Sequence, residues 1–443
     1  MEKEFAREAA AIPASGSAID PGRTYSLAEL IDVAETWNPE TRQAWEQARS
    51  QAATLGVARS ELFPTLAAVA VARLDRDEVL FNTTFFAQTV AEFDGGLSLS
   101  YTVFDFGARS ARISAARAQL LAANFLFNDA HRRIIYQVEQ AYYQLLNAAG
   151  QIAAAEASLS NALAVRESAE DRMNHGLATL PDVLEARSAA AEADYQLQAV
   201  RGTREISKGE LARSLGLSPT VPIRIQPLAE LIAPDLFSDT VEQALDRAFA
   251  QRPDLMRQLA EVRSANARVK EARAAYYPTL SLNAAGGEQA YRASQDPLPW
   301  AHASEFGGEA SLRLTWSLFD AGARKNGLAR AKADLLASEA RLQAARDQVA
   351  QEVWTAYANL ETALRERRAA LALLAAADQS YAAALDSYSQ GLRNLLDVTA
   401  AQQTLARARS TDILARTAVL SALAELAFQT GNSIQPAPRG TRP

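Results

Sequence analysis

The polar and apolar residues of this chain follow two periods, and the places where one gives way to the other come in pairs. Leu97, Leu99, Tyr101 and Val103 alternate with Ser98, Ser100 and Thr102, and Leu312, Leu314, Trp316 and Leu318 alternate with Arg313, Thr315 and Ser317. A period of two over such a run predicts strands with one apolar and one polar face. Leu280 and Leu282 alternate in the same way with Thr279, Ser281 and Asn283, whereas residues 64–73 are rich in Ala and Val and alternate poorly. Polar stretches at about 74–93 and 287–306 read as loops joining the strands, giving two hairpins, about 64–106 and 278–320.

Elsewhere the period is helical. A short helix (26–37 or 239–251) precedes a second (39–62 or 253–276), which stops before Pro64 or Pro278 because the residue before a proline disfavours the α region. After Gly107 or Gly322 a very long helix runs to about residue 175 or 390. At a rise of 1.5 Å per residue that is on the order of 100 Å. A four-three spacing of apolar residues holds through Ile134, Val138, Ala141, Leu145, Ala148, Ile152, Ala155, Leu159 and Ala162, and through Val349, Val353, Ala356, Leu360 and Ala363 in the other long helix. Large residues alternating with Ala on one seam suit knobs-into-holes packing. Arg166 and Arg367 interrupt the seam; either they pair with a Glu of a neighbouring helix or, the favoured reading, they carry their guanidinium groups out to solvent. Gly176 and Gly391 are placed to end the long helices in the left-handed conformation. Thr179 and Asn394 then cap return helices at about 181–215 and 395–428, with Asp182 and Asp397 at the third position.

This pairing is a duplication. Phe63-Pro64-Thr65-Leu66 recurs as Tyr277-Pro278-Thr279-Leu280, an offset of 278 − 64 = 214. Phe104-Asp105-Phe106-Gly107-Ala108-Arg109 recurs as Phe319-Asp320-Ala321-Gly322-Ala323-Arg324, offset by 319 − 104 = 215. Ala141-Tyr142 matches Ala356-Tyr357, Gly176-Leu177 matches Gly391-Leu392, Asp182-Val183 matches Asp397-Val398, Gly216 matches Gly431, and Asn38-Pro39 matches Arg252-Pro253. The expected organisation is an extended N-terminal segment (1–24), a first repeat (25–217), a Pro-rich linker (218–238), a second repeat (239–432) and a disordered tail (433–443).

Composition narrows the function classes. The 443 residues carry a net charge of -7, 3 His and no Cys, which removes disulfides, thiolate metal sites and Cys nucleophiles. No basic block suggests nucleic acid. His131, His175 and His302 are scattered and read as surface residues, and no phosphate-binding glycine loop or nucleophile elbow is present. No catalytic residue, metal site or cofactor is therefore expected. No run approaches the roughly 18 apolar residues of a membrane-spanning helix, but transmembrane strands escape that test. Residues 1–17 carry Glu2, Lys3, Glu4, Arg7 and Glu8 and lack the apolar core of a secretory signal, so an exported protein would need a signal peptide absent from this chain. Four amphipathic strands cannot close a barrel, and open edges are not tolerated in lipid. The chain must pool strands with copies of itself, in a number that these arguments leave open.

The Phe-Asp-x-Gly-x-Arg junctions and the Gly-Leu-x-x-Leu turns, each followed by Asp-Val, resemble those of the TolC-like outer membrane factors over about residues 25–432. The resemblance implies a mainly α protein with a β-barrel part: a homotrimer with a twelve-stranded barrel in outer-membrane lipid, continued by a periplasmic α-helical barrel. It implies the exit duct of a tripartite efflux pump, or of a type I secretion system, docked to a periplasmic adaptor and an inner-membrane transporter. It also implies that Tyr388 and Arg393 hold the periplasmic gate closed and that Asp397 forms an acidic ring in the tunnel. A second acidic ring position falls on Ala400, a departure from that pattern; Glu185 occupies the equivalent place in the first half, beside Asp182.

Each of these residues also has a plainer reading. Asp182 and Asp397 are helix-start residues, Tyr388 continues the packing seam, and Arg393 is a solvated turn residue. Trp316, Tyr101 and Phe104 belong either to an interfacial aromatic girdle or to lipid-facing packing. Two other classes stay open: a soluble periplasmic coiled-coil protein, which leaves the paired hairpins unexplained, and an enzyme, for which no constellation is found. Tyr388→Phe combined with Arg393→Ser is expected to raise single-channel conductance.

Overall fold

The computed structural model describes residues 19–227, 240–296 and 298–431. The expected tail, most of the N-terminal segment and residues 228–238 of the linker lie outside the described residues. In chain order the elements are β1 (Thr24–Tyr25), α1 (Leu27–Trp37), α2 (Pro39–Ser60), β2 (Thr65–Phe81), β3 (Thr84–Phe104), α3 (Ala108–Asn174), α4 (Leu180–Ser214), β4 (Arg224–Ile225), α5 (Val241–Gln251), α6 (Pro253–Ala274), β5 (Thr279–Gln295), β6 (Ala301–Thr315), α7 (Ala323–Ser389) and α8 (Leu395–Gln429). Two units emerge, one built from 47–124 and 257–343, the other from the remainder, and α3 and α7 contribute to both.

In the first unit, the hairpins join through β3 and β5 into a four-stranded antiparallel sheet in the order β2-β3-β5-β6. The expected loops are mostly strand instead. Residues 74–81 pair with 84–91, leaving only Asn82 and Thr83 as the turn, with Asn82 at φ 58°. Likewise 287–293 pair with 301–307. Pairing needs backbone groups, not apolar side chains, and the polar residues find partners across the ladder: Arg73 lies opposite Glu92, its guanidinium 3.5 Å from the carboxylate. At the other end β6 stops at Thr315, so Trp316 and Leu318, expected to continue the strand, lie beyond it. A bulge between Thr102 and Phe104 pairs Phe104 with Leu280, so Phe104 joins the face of Tyr101 and Leu282 against the simple alternation.

The same unit shows what the Phe-Asp-x-Gly-x-Arg junction does. Phe106 and Ala321 sit at φ 51°, and Gly107 and Gly322 follow at 91° and 87°. This sharp corner leaves helix-start N–H groups to be satisfied. The Asp105 carboxylate accepts from the N–H of Gly107 (3.2 Å) and Arg109 (2.8 Å) and pairs with the Arg109 guanidinium at 3.1 Å. Asp320 repeats this with Gly322 and Arg324. The motif is a helix cap locked by its own i,i+4 ion pair.

The second unit holds the main core. Leu30, Ile31 and Ala34 of α1 pack with Ile134, Val138, Tyr142 and Leu146 of α3, Leu211 and Leu215 of α4, and Leu420 and Ala424 of α8. β1 and β4 pair in parallel beside it, so the Pro-rich linker contributes a short strand. The repeat matches Gly216/Gly431 and Asn38/Arg252 turn out to be one contact made twice. The Asn38 amide donates to Ser214 O (2.9 Å) at the end of α4, and the Arg252 guanidinium reaches Gln429 at the end of α8, 2.9 Å from its side-chain oxygen. Gly216 and Gly431 follow at φ 74° and 83°. A Cβ on Gly216 would stand 2.9 Å from Trp37 O, and one on Gly431 would stand 3.1 Å from the Gln251 carbonyl carbon.

The long-helix seam runs as expected through Ile134, Val138, Ala141, Leu145 and Ala148, all buried. Arg166 does not break it, because buried Val165 carries the seam from Ala162 to Ala169. Arg367 does not reach out to solvent: it is largely buried and paired with Asp412 on the return helix.

Candidate functional site

The two turns between long and return helices close in the same backbone form. Gly176 (φ 74°) donates to Met173 O and Leu177 to Arg172 O; Gly391 (φ 76°) donates to Tyr388 O and Leu392 to Ser387 O. These are Schellman caps, for which glycine is needed at the left-handed position.

Beyond the caps the turns differ. At the first, the Asp182 carboxylate accepts from both the N–H (2.8 Å) and the hydroxyl (2.7 Å) of Thr179. Those bonds, the hydroxyl first, hold the Asp182 carboxyl below the usual range. At the second, the roles reverse: Asn394 Oδ1 accepts from the Asp397 N–H at 2.9 Å. The Asp397 carboxylate makes no hydrogen bond or ion pair among the described residues and is half-exposed. The plainer reading, a helix-start carboxylate, therefore describes Asp182 well and Asp397 poorly. Glu185 lies one turn into α4 and is exposed.

Tyr388 is 6% exposed and packs with Val165 and Ala169 of α3, Val183 and Ala186 of α4, Ala384 of its own helix, and Leu395 and Val398 of α8. All four helices thus meet around this ring. Burial, the largest cause, pushes its phenol up, and the nearby Arg172 opposes that shift. Its hydroxyl has no hydrogen-bond partner among the described residues. Arg393 is exposed, and among the described residues it makes no hydrogen bond or cation–π contact with Tyr388. The cation that does meet Tyr388 is Arg172, whose guanidinium carbon lies 4.7 Å from the ring centroid and whose Nη1 donates to Tyr388 O at 3.1 Å. Sequence reasoning passed over Arg172; the available signal was that its counterpart 215 residues on is Ser387.

A second group of side chains gathers where the sheet meets its helices. Phe106 stands edge-on to Phe104 (4.7 Å) and stacks on Tyr277 (4.9 Å); Arg109 lies over Tyr101, Arg324 over Tyr276, and the Trp316 indole donates to Tyr276 O. Trp316, Tyr101 and Phe104 are thus placed about the strand-to-helix corners. Among the described residues no helix is long and apolar enough to cross a membrane, and no group of three or more His, Asp or Glu is arranged to hold a metal ion.

A sheet with apolar side chains on one face, joined by capped corners to helices of 67 residues, defines a class: channels whose membrane part is strand and whose remaining part is long helix. A crystal structure of a membrane protein from Pseudomonas aeruginosa has this fold, with a TM-score of 0.81 and 23% identity over 95% of this chain and 98% of that one. The Outer membrane efflux protein model matches residues 30–217 and 244–432, and the chain belongs to that family. Protein CyaE of Bordetella pertussis is 30% identical over 390 residues, covering 88% of this chain and 80% of that protein. Outer membrane protein OprJ of Pseudomonas aeruginosa is 25% identical over 383 residues, covering 85% and 78%. The protein is an outer-membrane efflux channel, and its long helices form a periplasmic part.

Proposed function

We propose that three copies of this chain form one exit duct, and that the duct serves a tripartite pump exporting small toxic compounds. The observation that carries the reading is the four-stranded sheet itself. Its edges β2 and β6 have no second strand partner among the described residues. Leu66, Leu97, Leu99, Leu312 and Leu314 fall on one face of the ladder, while Ser98, Ser100, Asn283 and Ser311 fall on the other. In lipid, unpaired strand edges are untenable, so the sheet must continue into copies of itself until it closes. Three copies give twelve strands. The aromatic cluster at the strand-to-helix corners suits the boundary between hydrocarbon and water.

The periplasmic adaptor and inner-membrane transporter would select cargo and supply energy, so the duct itself needs no catalytic residue. Tyr388 and Arg393 are proposed to keep the turns closed, and Asp397, with Asp182 and Glu185, to set the charge of the constriction. Asp397 and Glu185 are better placed than Asp182, because no bond among the described residues occupies either carboxylate, whereas Thr179 engages that of Asp182. Efflux is preferred to protein secretion on the family description.

Purification decides the first point. Light scattering should give a detergent-bound trimer, and a monodisperse monomer without detergent would overturn the duct. Planar-bilayer recording decides the second. Tyr388→Ala and Arg393→Ser should each raise single-channel conductance, and unchanged conductance in both would remove these residues from the gate. Since the Tyr388 hydroxyl has no partner among the described residues, Tyr388→Phe isolates any bond it makes to another copy.

A further inference from the structure

We infer that Arg172 is the clasp of the gate: it ties the turn of the second repeat to that of the first by holding Tyr388 and the end of α7 together. The inference rests on the gate reading above and adds a residue that reading did not contain.

Three observations converge on Arg172. Its guanidinium stands over the Tyr388 ring at 4.7 Å, within reach of a cation–π attraction. The same group donates from Nη1 to the carbonyls of Tyr388 (3.1 Å) and Ser389 (3.3 Å), the last two residues of that stretch of α7. The last turn of α7 contains no basic residue of its own. A helix C-terminus leaves carbonyls unsatisfied and carries partial negative charge, so a cation there is stabilising. The first repeat supplies to the second repeat the cation that the second lacks.

The duplication gives this contact a direction. The counterparts of Arg172 and Tyr388, 215 residues away, are Ser387 and Met173. Ser387 and Met173 cannot make the same pair, so the clasp runs one way, from α3 to α7. It exists only because the copies diverged at adjacent positions. Tyr388, in turn, sits among side chains from α3, α4 and α8. Moving α7 and α8 away from α3 and α4 must draw the ring from that cluster and off the guanidinium together.

The test is single-channel recording on the full-length protein in planar bilayers. Arg172→Met keeps the length and apolar body of the side chain and removes its charge and donors. It should shift the closed-to-open equilibrium by on the order of tenfold, judged from a partly buried cation–π contact plus charge-assisted hydrogen bonds. Arg172→Lys should fall between wild type and Arg172→Met, since it keeps the charge and loses the planar fork. Arg172→Met should raise conductance less in the Tyr388→Ala background than in wild type, because only the bonds to the main-chain carbonyls remain to be lost there, whereas Arg172→Met with Arg393→Ser should exceed either single variant. Any loss of thermal stability in the assembled protein should not exceed about 1.4 kcal/mol, the tenfold shift expressed as free energy, whereas a residue serving only to build the helices would lose stability with no change in conductance.

If Arg172→Met conducts like wild type while Tyr388→Ala conducts more, the clasp is wrong and the gate reading stands. If Arg172→Met, Tyr388→Ala and Arg393→Ser all conduct like wild type, the gate reading fails and the clasp with it. If Arg172→Met fails to assemble, Arg172→Lys decides: conductance equal to wild type overturns the clasp, because the fork is what the geometry requires.

Discussion

The ends of the return helices and the turns that begin them have the same duplicated origin and opposite histories. At the ends, Gly216 and Gly431 both take positive φ and both press against the corner between two helices, at Trp37–Asn38 and at Gln251–Arg252. At the turns, only the backbone has been kept. Gly176 and Gly391 cap alike, but Arg172 faces Ser387 in the alignment, Met173 faces Tyr388, Ala178 faces Arg393 and Glu185 faces Ala400. Where backbone presses on backbone, no side chain fits and neither copy could change. Where side chains meet around a turn, the copies could specialise for different jobs.

The largest effect should come from the ends that the two copies share. Gly216→Val adds a Cβ that would stand 2.9 Å from Asn38 Cα and from Trp37 O, neither of which is the free end of a flexible side chain. The left-handed conformation and the overpacking together should cost roughly 3–5 kcal/mol. Gly431→Val meets its nearest atoms at 3.1 Å and should cost less. Denaturation of the purified protein checks the order. Equal losses would mean that the left-handed conformation, which the two sites share, dominates over the close approach, which they do not.

That order also marks what the residues alone could reveal. The matches of Gly216 with Gly431 and of Asn38 with Arg252 were visible as letters, but that they form one contact was not, since 216 − 38 = 178 residues separate its sides. The hairpins were legible from alternation only where Leu and Ser take turns. From Asp75 to Glu78 four charged residues run together, so the strand is invisible to hydropathy although its backbone ladder is complete. The turn at Asn82–Thr83 lacks the Asn-Gly signature that would have announced it. Tyr388 was legible as a seam residue because its period was intact. Arg172 was not, because a lone arginine near a helix end is ordinary until the helix it reaches is known.

A second test concerns one position at which the copies have been inverted. Glu139 is 3% exposed, while Trp354, its counterpart, is 56% exposed. Burial alone pushes the Glu139 carboxyl up to about 7, and one of its oxygens has no hydrogen-bond partner among the described residues. The folded state therefore holds this proton more tightly than the unfolded chain. The group's contribution is complete below the unfolded value near 4.5 and is lost as pH rises to about 7. Glu139→Gln removes that dependence. It should stabilise the protein by a few kcal/mol at pH 8 and by almost nothing at pH 4, since each tenfold change in proton affinity on folding is worth about 1.4 kcal/mol. Melting curves at the two pH values check this. A gain of equal size at both would show that Gln packs better and that the proton is irrelevant.

The smallest effect returns to the turns, where it separates two aspartates that look identical in the sequence. Asp182 accepts two bonds from Thr179, and Asp397 accepts none among the described residues. Asp182→Ala should therefore cost about 1 kcal/mol of stability, the usual value of a cap. Asp397→Ala leaves the Asn394 cap in place and should cost little. Channel behaviour should run the other way, with Asp397→Ala reducing the preference for cations more than Asp182→Ala does, since Thr179 already engages the Asp182 carboxylate. The acid limb gives an independent handle. The Asp182 carboxyl is held below its ordinary value of 3.8, so its contribution to stability is present above that pH and lost as pH falls through the lower, folded value. Asp182→Ala should accordingly match wild type at the most acidic end of a stability profile and fall behind it as pH rises past 4. A constant deficit down to the lowest pH would mean that the Thr179 bonds do not depend on ionisation. Ion selectivity alone would then separate the two aspartates.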